Sequence, residues 1–397
     1  MILFAVFLLA YVLSQFFRAF LAVIAPRLAG ELGLSAADLA YMSAAWFATF
    51  AFAQFPLGVA LDRHGPRRTV PVIMLSGVIG ALLLARANGA SGCIVALALI
   101  GLGCSPIYMG ALYYYGRTVS PQHFGFVSAC MLGVGSLGNL LAATPLAWSA
   151  QVFGWRATLQ GIAALMLFAT ALFWLLVRDP PLAETPKVRS SALAELREVV
   201  VLPRLWTLMP LIALGYAALV VERGLWVGPY FAEVHGLEPI SLGNAVMAMA
   251  VAMSAGALAF GWLDRLFGRR KWLVVTGSLA CAAGFAALLV WPRPALAPAV
   301  AVIAGIGFMG LCQPLLFAHA RMFFPDHLLG RGITFANFLT IGGAGIVQFA
   351  SGAYVSRLQA AGLSSPDVYA ALHGVFAALI AGATLVYLFA PATGDRT

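Results

Sequence analysis

GVALDRHGPRR, Gly58 to Arg68, closes a long apolar run and is answered about 203 positions later by GWLDRLFGRRK, Gly261 to Lys271. Both stretches carry a glycine, an Asp-Arg pair, a second glycine and a closing basic cluster, and each separates one apolar segment from the next. A charged punctuation mark used twice in an otherwise apolar chain points to a duplicated membrane protein. The composition agrees, since 62% of the 397 residues are hydrophobic and only 9% are charged, well outside the range of soluble domains. A segment of about 20 apolar residues crosses a bilayer core of about 30 Å. Twelve such segments are read, at 3–25, 39–61, 69–86, 92–115, 124–147, 157–177, 206–231, 241–263, 272–291, 297–319, 331–354 and 368–390. The first lacks a basic leader and a small-residue cleavage site and holds Arg18, so it reads as a retained helix.

The formal charge of +9 is placed for topology, not for nucleic acid. With the N-terminus inside, sixteen of the 23 Lys and Arg residues fall in inner loops and the linker and five in outer loops, with Arg18 and Arg223 inside segments. The expected location is therefore the cytoplasmic (inner) membrane, multi-pass, with both termini cytoplasmic. The five cysteines stand in or beside apolar segments without CxxC spacing, and are expected as free thiols.

The two halves repeat at offsets of 202 to 208. Tyr11, Arg18, Pro26 and Gly33 are answered by Tyr216, Arg223, Pro229 and Gly236; Cys104-Ser105-Pro106 by Cys312-Gln313-Pro314; GVGSLGN by TIGGAGI. The expected organisation is a six-helix bundle at 1–178, a cytoplasmic linker at 179–204 and a second six-helix bundle at 205–397. Within the linker, SSALAELREVVV is expected as a short amphipathic helix on the membrane surface.

Arg18 and Arg223 are the most informative side chains. An arginine at the centre of a membrane helix costs roughly 2.5 to 3.5 kcal/mol on insertion scales, so it faces a cavity or a partner. Tyr11 and Arg18 are seven residues apart, about two turns, and share a face; Tyr216 and Arg223 repeat the spacing. A guanidinium fork suits a carboxylate or phosphate, so the two arginines are expected to bind an anion near the midplane. Glu222 is the acidic residue placed deep in a helix, and it is both a proton-coupling candidate and a candidate for a structural ion pair. Ionised, the three side chains carry a net charge of +1, which suits a monoanion. Gln15, Asn139, Gln313, Asn337, Trp226 and Tyr230 are the polar and aromatic residues that could complete the site. His319 and His373 stand near helix ends and are read as interfacial.

GVALDRHGPRR resembles the signature loop between helices two and three of the major facilitator superfamily, and FGWR at Phe153 to Arg156 is similar to its turn into helix six. The resemblance implies twelve helices in two pseudo-symmetric halves, an all-α membrane fold. It also implies a conformational gate at Gly58, Asp62, Arg63, Gly65, Arg67 and Arg68, with Asp264, Arg265, Gly268 and Arg269 as the second copy. Asp62 would sit near the start of helix eleven. Arg18 to Ser35 resembles the first helix and outer loop of the anion:cation symporters and organophosphate antiporters, which place an arginine eight residues before a proline. The symporters' usual acidic positions are occupied here by Phe17 and Cys104.

The reading is a secondary transporter moving a small organic anion, carboxylate ahead of phosphate ester, by alternating access. It works as a monomer in the lipid bilayer, with protons or a counter-anion as coupling partners and no nucleic acid. No catalytic constellation, cofactor or resident metal is expected. The alternatives are an exporter of hydrophobic drugs or cations, a membrane sensor with the same fold, and a copper carrier using Met247, Met249, Met253, Cys312, His319 and Met322.

Overall fold

The computed structural model describes residues 2–119, 127, 130, 131, 133–179, 202–323 and 329–392. Most of the linker, including SSALAELREVVV, lies outside them. Among the described residues every regular element is helical, and ten helices are long and apolar enough to cross a membrane. Two compact units emerge, one of Met1–Pro186, Val227–Ala232 and Leu237–Val246, the other of Lys187–Trp226, Glu233–Gly236 and Met247–Thr397.

In unit 1, α1 (Ile2–Ala19) and α2 (Leu21–Leu32) form one run, because Phe20 between them is helical and bonded to Phe16 O at 3.0 Å. The run passes through Pro26, where a segment end had been expected, and stops only at Gly33, whose φ of 65° ends the helix in the left-handed region. Ser35 and Asp38 then cap α3 (Ala36–Arg86) reciprocally, each side chain accepting the other's backbone N–H. α3 joins two expected segments across one non-helical residue, Gly65 at φ 71°. The motif is thus a glycine kink between helices more than an open loop. α4 (Ala90–Thr118), α5 (Leu137–Leu141), α6 (Thr144–Val152) and α7 (Trp155–Leu176) follow. The fifth expected segment is not one helix: Ala143 leaves helical geometry just before Thr144-Pro145, where proline cannot continue the hydrogen-bond ladder.

Unit 2 contains α8 (Met209–Val221), which leads into a five-residue π turn, Glu222–Trp226, and then α9 (Val227–His235). Part of α9 belongs to unit 1. α10 (Pro239–Phe267), α11 (Arg270–Val290), α12 (Leu296–Gly310), α13 (Gln313–Ala320), α14 (Leu329–Ala360) and α15 (Ser365–Tyr387) complete the chain. The tenth expected segment breaks at Leu311 and Cys312, and Pro314 opens the helix that follows.

The repeat survives at the backbone level. All positive-φ glycines among the described residues form pairs across it: Gly33 (65°) with Gly236 (63°), Gly65 (71°) with Gly268 (59°), and Gly154 (82°) with Gly362 (80°). Each marks the same helix end in its half. Lipid offers little hydrophobic drive for helix association, so membrane helices meet through small residues. Gly138 shows this in unit 1, where a Cβ would stand 2.0 Å from Val12 O; Gly343 shows it in unit 2, where a Cβ would stand 2.0 Å from Ala213 O.

Candidate functional site

Around Arg18 the walls are aromatic. Its guanidinium carbon lies 5.5 Å from the Trp46 ring centroid and 5.3 Å from that of Phe50, both on α3, within cation–π range. No carboxylate pairs with it among the described residues, and its buried Nε has no hydrogen-bond partner. Cys104 of α4 lies near it, with its thiol bonded to Ser14. One turn back on α1, Gln15 donates to the Tyr11 hydroxyl at 3.1 Å, while the Tyr11 ring stacks on Tyr108 at 5.1 Å. Gly138 presses α5 onto α1 at Val12 and Gln15, which brings Asn139 to the same stretch of helix. The Gln15 and Asn139 amide oxygens and the Trp46 indole nitrogen are buried without partners, as the Arg18 Nε is. Buried polar atoms are almost always paired, so four orphans on three adjoining elements mark a place built to receive polar atoms of something else.

Around Glu222 the surroundings are different. The π turn buries Glu222 completely and leaves Arg223 5% exposed. Glu222 Oε2 lies 3.4 Å from His373 Nε2 on α15, and that histidine is also fully buried, its ring 5.8 Å from Phe285. The expectation of an interfacial His373 is therefore corrected, and so is that of His319, which is fully buried and bonds the Tyr387 hydroxyl at 2.6 Å and Pro391 O at 3.0 Å. An imidazole fits such interiors when both nitrogens meet polar groups, which hydropathy alone does not reveal. Because both ring nitrogens of His319 are engaged, it does not join Cys312 or Met322 as the copper reading needs.

Trp226 donates its indole N–H to Ser351 Oγ at 2.9 Å, Ser351 donates to Gln348 O at 2.9 Å, and the Trp226 and Tyr369 rings meet at 6.4 Å. Both amide atoms of the buried Gln348 have no partner. Of the other expected site residues, Tyr230 is buried, Tyr216 is half-buried, Gln313 is held to Ile212 O at 3.5 Å, and Asn337 is exposed. The π turn explains the doubtful register on this helix. A widened turn rotates the residues that follow it, so Arg223 and Pro229 do not stand as Arg18 and Pro26 do.

The repeated motif is held differently in each half. In unit 1, Asp179 beyond α7 accepts the Arg67 backbone N–H at 2.8 Å, capping the helix that restarts after Gly65. In unit 2, Asp264 pairs with Arg270 Nε at 2.9 and 3.0 Å, and Lys271 donates to Leu388 O at 2.7 Å beyond α15. Arg63, Arg67, Arg68, Arg265 and Arg269 are exposed, as is Gly58. The Asp62 side chain lies outside the described residues. Asp179 and Arg270 escaped the sequence reading because their partners are identified only once the chain folds back. On the opposite ends of these helices, Glu31 accepts from Trp155 Nε1 at 2.6 Å and pairs with Arg156, and these bonds, Trp155's first, hold its carboxyl below the usual carboxylate range. In unit 2 Glu233 plays the corresponding part with the Ser365 and Tyr369 hydroxyls.

This geometry can be set beside known proteins. The Major Facilitator Superfamily profile matches residues 7–348. Human monocarboxylate transporter 11 is 30% identical over 67% of this chain and 55% of its own length. A probable L-galactonate transporter of Escherichia coli is 23% identical over 68% and 61% respectively. The chain thus spans less than two thirds of the length of these curated relatives. Among solved structures, a D-xylose-proton symporter superposes with a TM-score of 0.81 at 14% identity, covering 100% of this chain and 99% of that one, which speaks for the fold alone. With the profile spanning most of its length and two compact helical units marked by paired glycines, the chain belongs to the major facilitator superfamily.

Proposed function

We propose that this protein is a secondary transporter that moves a small organic anion, a carboxylate in preference to a phosphate ester, across the cytoplasmic membrane by alternating access. The observation that carries the reading is Arg18: a half-buried cation set over two aromatic rings, with an unpartnered Nε and no carboxylate beside it. A site already neutralised by its own acid would gain little from an anion; this one lacks only the anion. The substrate carboxylate accepts from Arg18 and from the Trp46 indole N–H, while the Gln15 and Asn139 amide oxygens accept from substrate hydroxyls. A hydroxycarboxylate satisfies all four orphans at once. The names of the relatives, a monocarboxylate and L-galactonate, support the same class. The distribution of basic residues supports both termini on the cytoplasmic side.

The test is uptake into proteoliposomes of lactate, galactonate, acetate, a sugar phosphate and an uncharged sugar. Hydroxycarboxylates are expected to enter fastest. If Arg18→Ala folds as the parent does and carries the best substrate equally well, the anion site is misplaced. Absence of flux for every compound would favour the sensor reading.

A further inference from the structure

The Glu222 and His373 pair is not needed to bind an anion at Arg18, yet it is the most costly arrangement in unit 2. Two ionisable side chains, both with no exposed surface, face each other at 3.4 Å in the interior of a membrane protein. Their elements differ: Glu222 opens the π turn after α8, and His373 lies mid-way along α15. A buried carboxylate without a counter-charge is strongly disfavoured, and a proton shared with the facing imidazole neutralises the pair. We infer that Glu222 and His373 form a proton-holding site in the second half, and that it couples carboxylate transport to proton movement.

Every neighbouring element has a defined contribution. On the π turn itself, Arg223 follows Glu222 and supplies a fixed positive charge. From α15, Tyr369 stands one turn before His373 and lies within electrostatic reach of Glu222 and in hydrogen-bond contact with Glu233. From α14, Gln348 and Ser351 approach as neutral groups through Trp226. From α11, Phe285 covers the imidazole face, while the Cys281 thiol faces Cys312 instead. Arg223 is thus the one permanent charge next to the pair, and the pair's proton count sets the net charge of this interior. With one proton shared, the cluster carries +1; with a second proton it carries +2; with none it is neutral. Only charge moves in these steps: a proton enters from one side of the membrane, rests between Oε2 and Nε2, and leaves on the other.

A π turn suits such a role. Its wide hydrogen-bond ring is less stable than an α turn and is frequent where function demands a local departure. Here it places Glu222 at the start of the turn, where the carboxylate can approach α15.

This inference rests on the proposed carboxylate transport, so its test has one arm that does not. In the first arm, infrared difference spectra of the purified protein between pH 8 and pH 5 record protonated carboxyl without any substrate. The parent is expected to show a buried carboxyl band that Glu222→Gln removes, Glu222→Asp retains and His373→Gln shifts along the pH axis. A spectrum in which Glu222→Gln and His373→Gln change nothing overturns the proton site, whatever the protein transports. In the second arm, lactate enters proteoliposomes under a pH gradient of about one unit, which supports about tenfold accumulation for a carriage of one proton per monoanion. Glu222→Gln is expected to reduce accumulation to onefold while lactate exchange persists. Accumulation that stays tenfold in Glu222→Gln overturns the coupling but leaves the anion reading standing. If the parent carries no carboxylate at all, the anion reading fails and the infrared arm still decides whether the pair holds a proton.

Discussion

The first helices of the two halves began as copies and now have different chemistry. Around Arg18 the neighbours are Trp46, Phe50, Gln15 and Asn139, and the polar atoms there outnumber their partners. Around Arg223 the neighbours are Glu222, His373 and Tyr369, titratable groups packed beyond reach of solvent. A duplicated fold thus keeps the backbone, including its three pairs of left-handed glycines, and lets the side chains divide the labour. The lesson is that symmetry in sequence position is no guide to symmetry in role. Arg18 is a cation without an acid; Arg223 belongs to a cluster that contains one.

That contrast can be broken most directly at the arginines. Arg18→Ala is expected to lower hydroxycarboxylate uptake by about 100-fold or more, given that losing a buried charge contact costs about 2 to 5 kcal/mol. Its thermal unfolding temperature in detergent should hold or rise, because no internal partner is lost. Arg223→Ala is expected to behave in the opposite way, losing stability because a buried acid is left without its neighbouring cation. If Arg18→Ala unfolds early and Arg223→Ala does not, the division of roles proposed here is reversed. Next in size are the close approaches that both halves share. Gly138→Ala and Gly343→Ala each force a methyl to within 2.0 Å of a backbone carbonyl, an overpacking of about 1 to 3 kcal/mol. Both should lower the unfolding temperature by similar amounts, and a large inequality would show that the halves differ in backbone as well as in chemistry.

How far the sequence alone could go is clear from particular residues. The apolar segments, the doubled motif and Arg18 were legible because hydropathy, repetition and the cost of charge in lipid are one-dimensional signals. The break at Ala143 and the π turn at Glu222–Trp226 were not, since both depend on which carbonyls lose partners once neighbouring helices pack. His373 was misread for the same reason. A single histidine in an apolar run looks like an end marker until α15 is seen to face the π turn, with its partner 151 positions earlier in the chain. Trp46 was not singled out, because an aromatic residue in an apolar segment carries no sign of the cation it covers.

Smaller effects sharpen the comparison further. Trp46→Leu removes a cation–π contact worth about 0.5 to 2 kcal/mol, so the half-saturation concentration for a carboxylate should rise about two- to thirtyfold with little change in stability. Unchanged transport would mean that the aromatic walls only fill space.

The smallest expected effect lies at the helix ends, where the halves use the same acid in different company. Glu31 takes bonds from the Trp155 indole and the Arg156 guanidinium, and its carboxyl is held below the model value of 4.5. A carboxyl lowered by folding stabilises the native state fully above its unfolded pKa and loses that contribution as pH falls through the folded value. Comparing parent with Glu31→Gln by thermal unfolding should therefore show a gap at pH 7 that narrows once the pH drops below about 4.5. Because the pair is solvent-exposed, salt near 1 M should narrow the gap as well. Glu233 meets the hydroxyls of Ser365 and Tyr369 and no cation there, so the gap between parent and Glu233→Gln should hold in high salt. A salt-sensitive Glu233 and a salt-insensitive Glu31 would mean that the clamp in the first half works through the tryptophan, with Arg156 an onlooker.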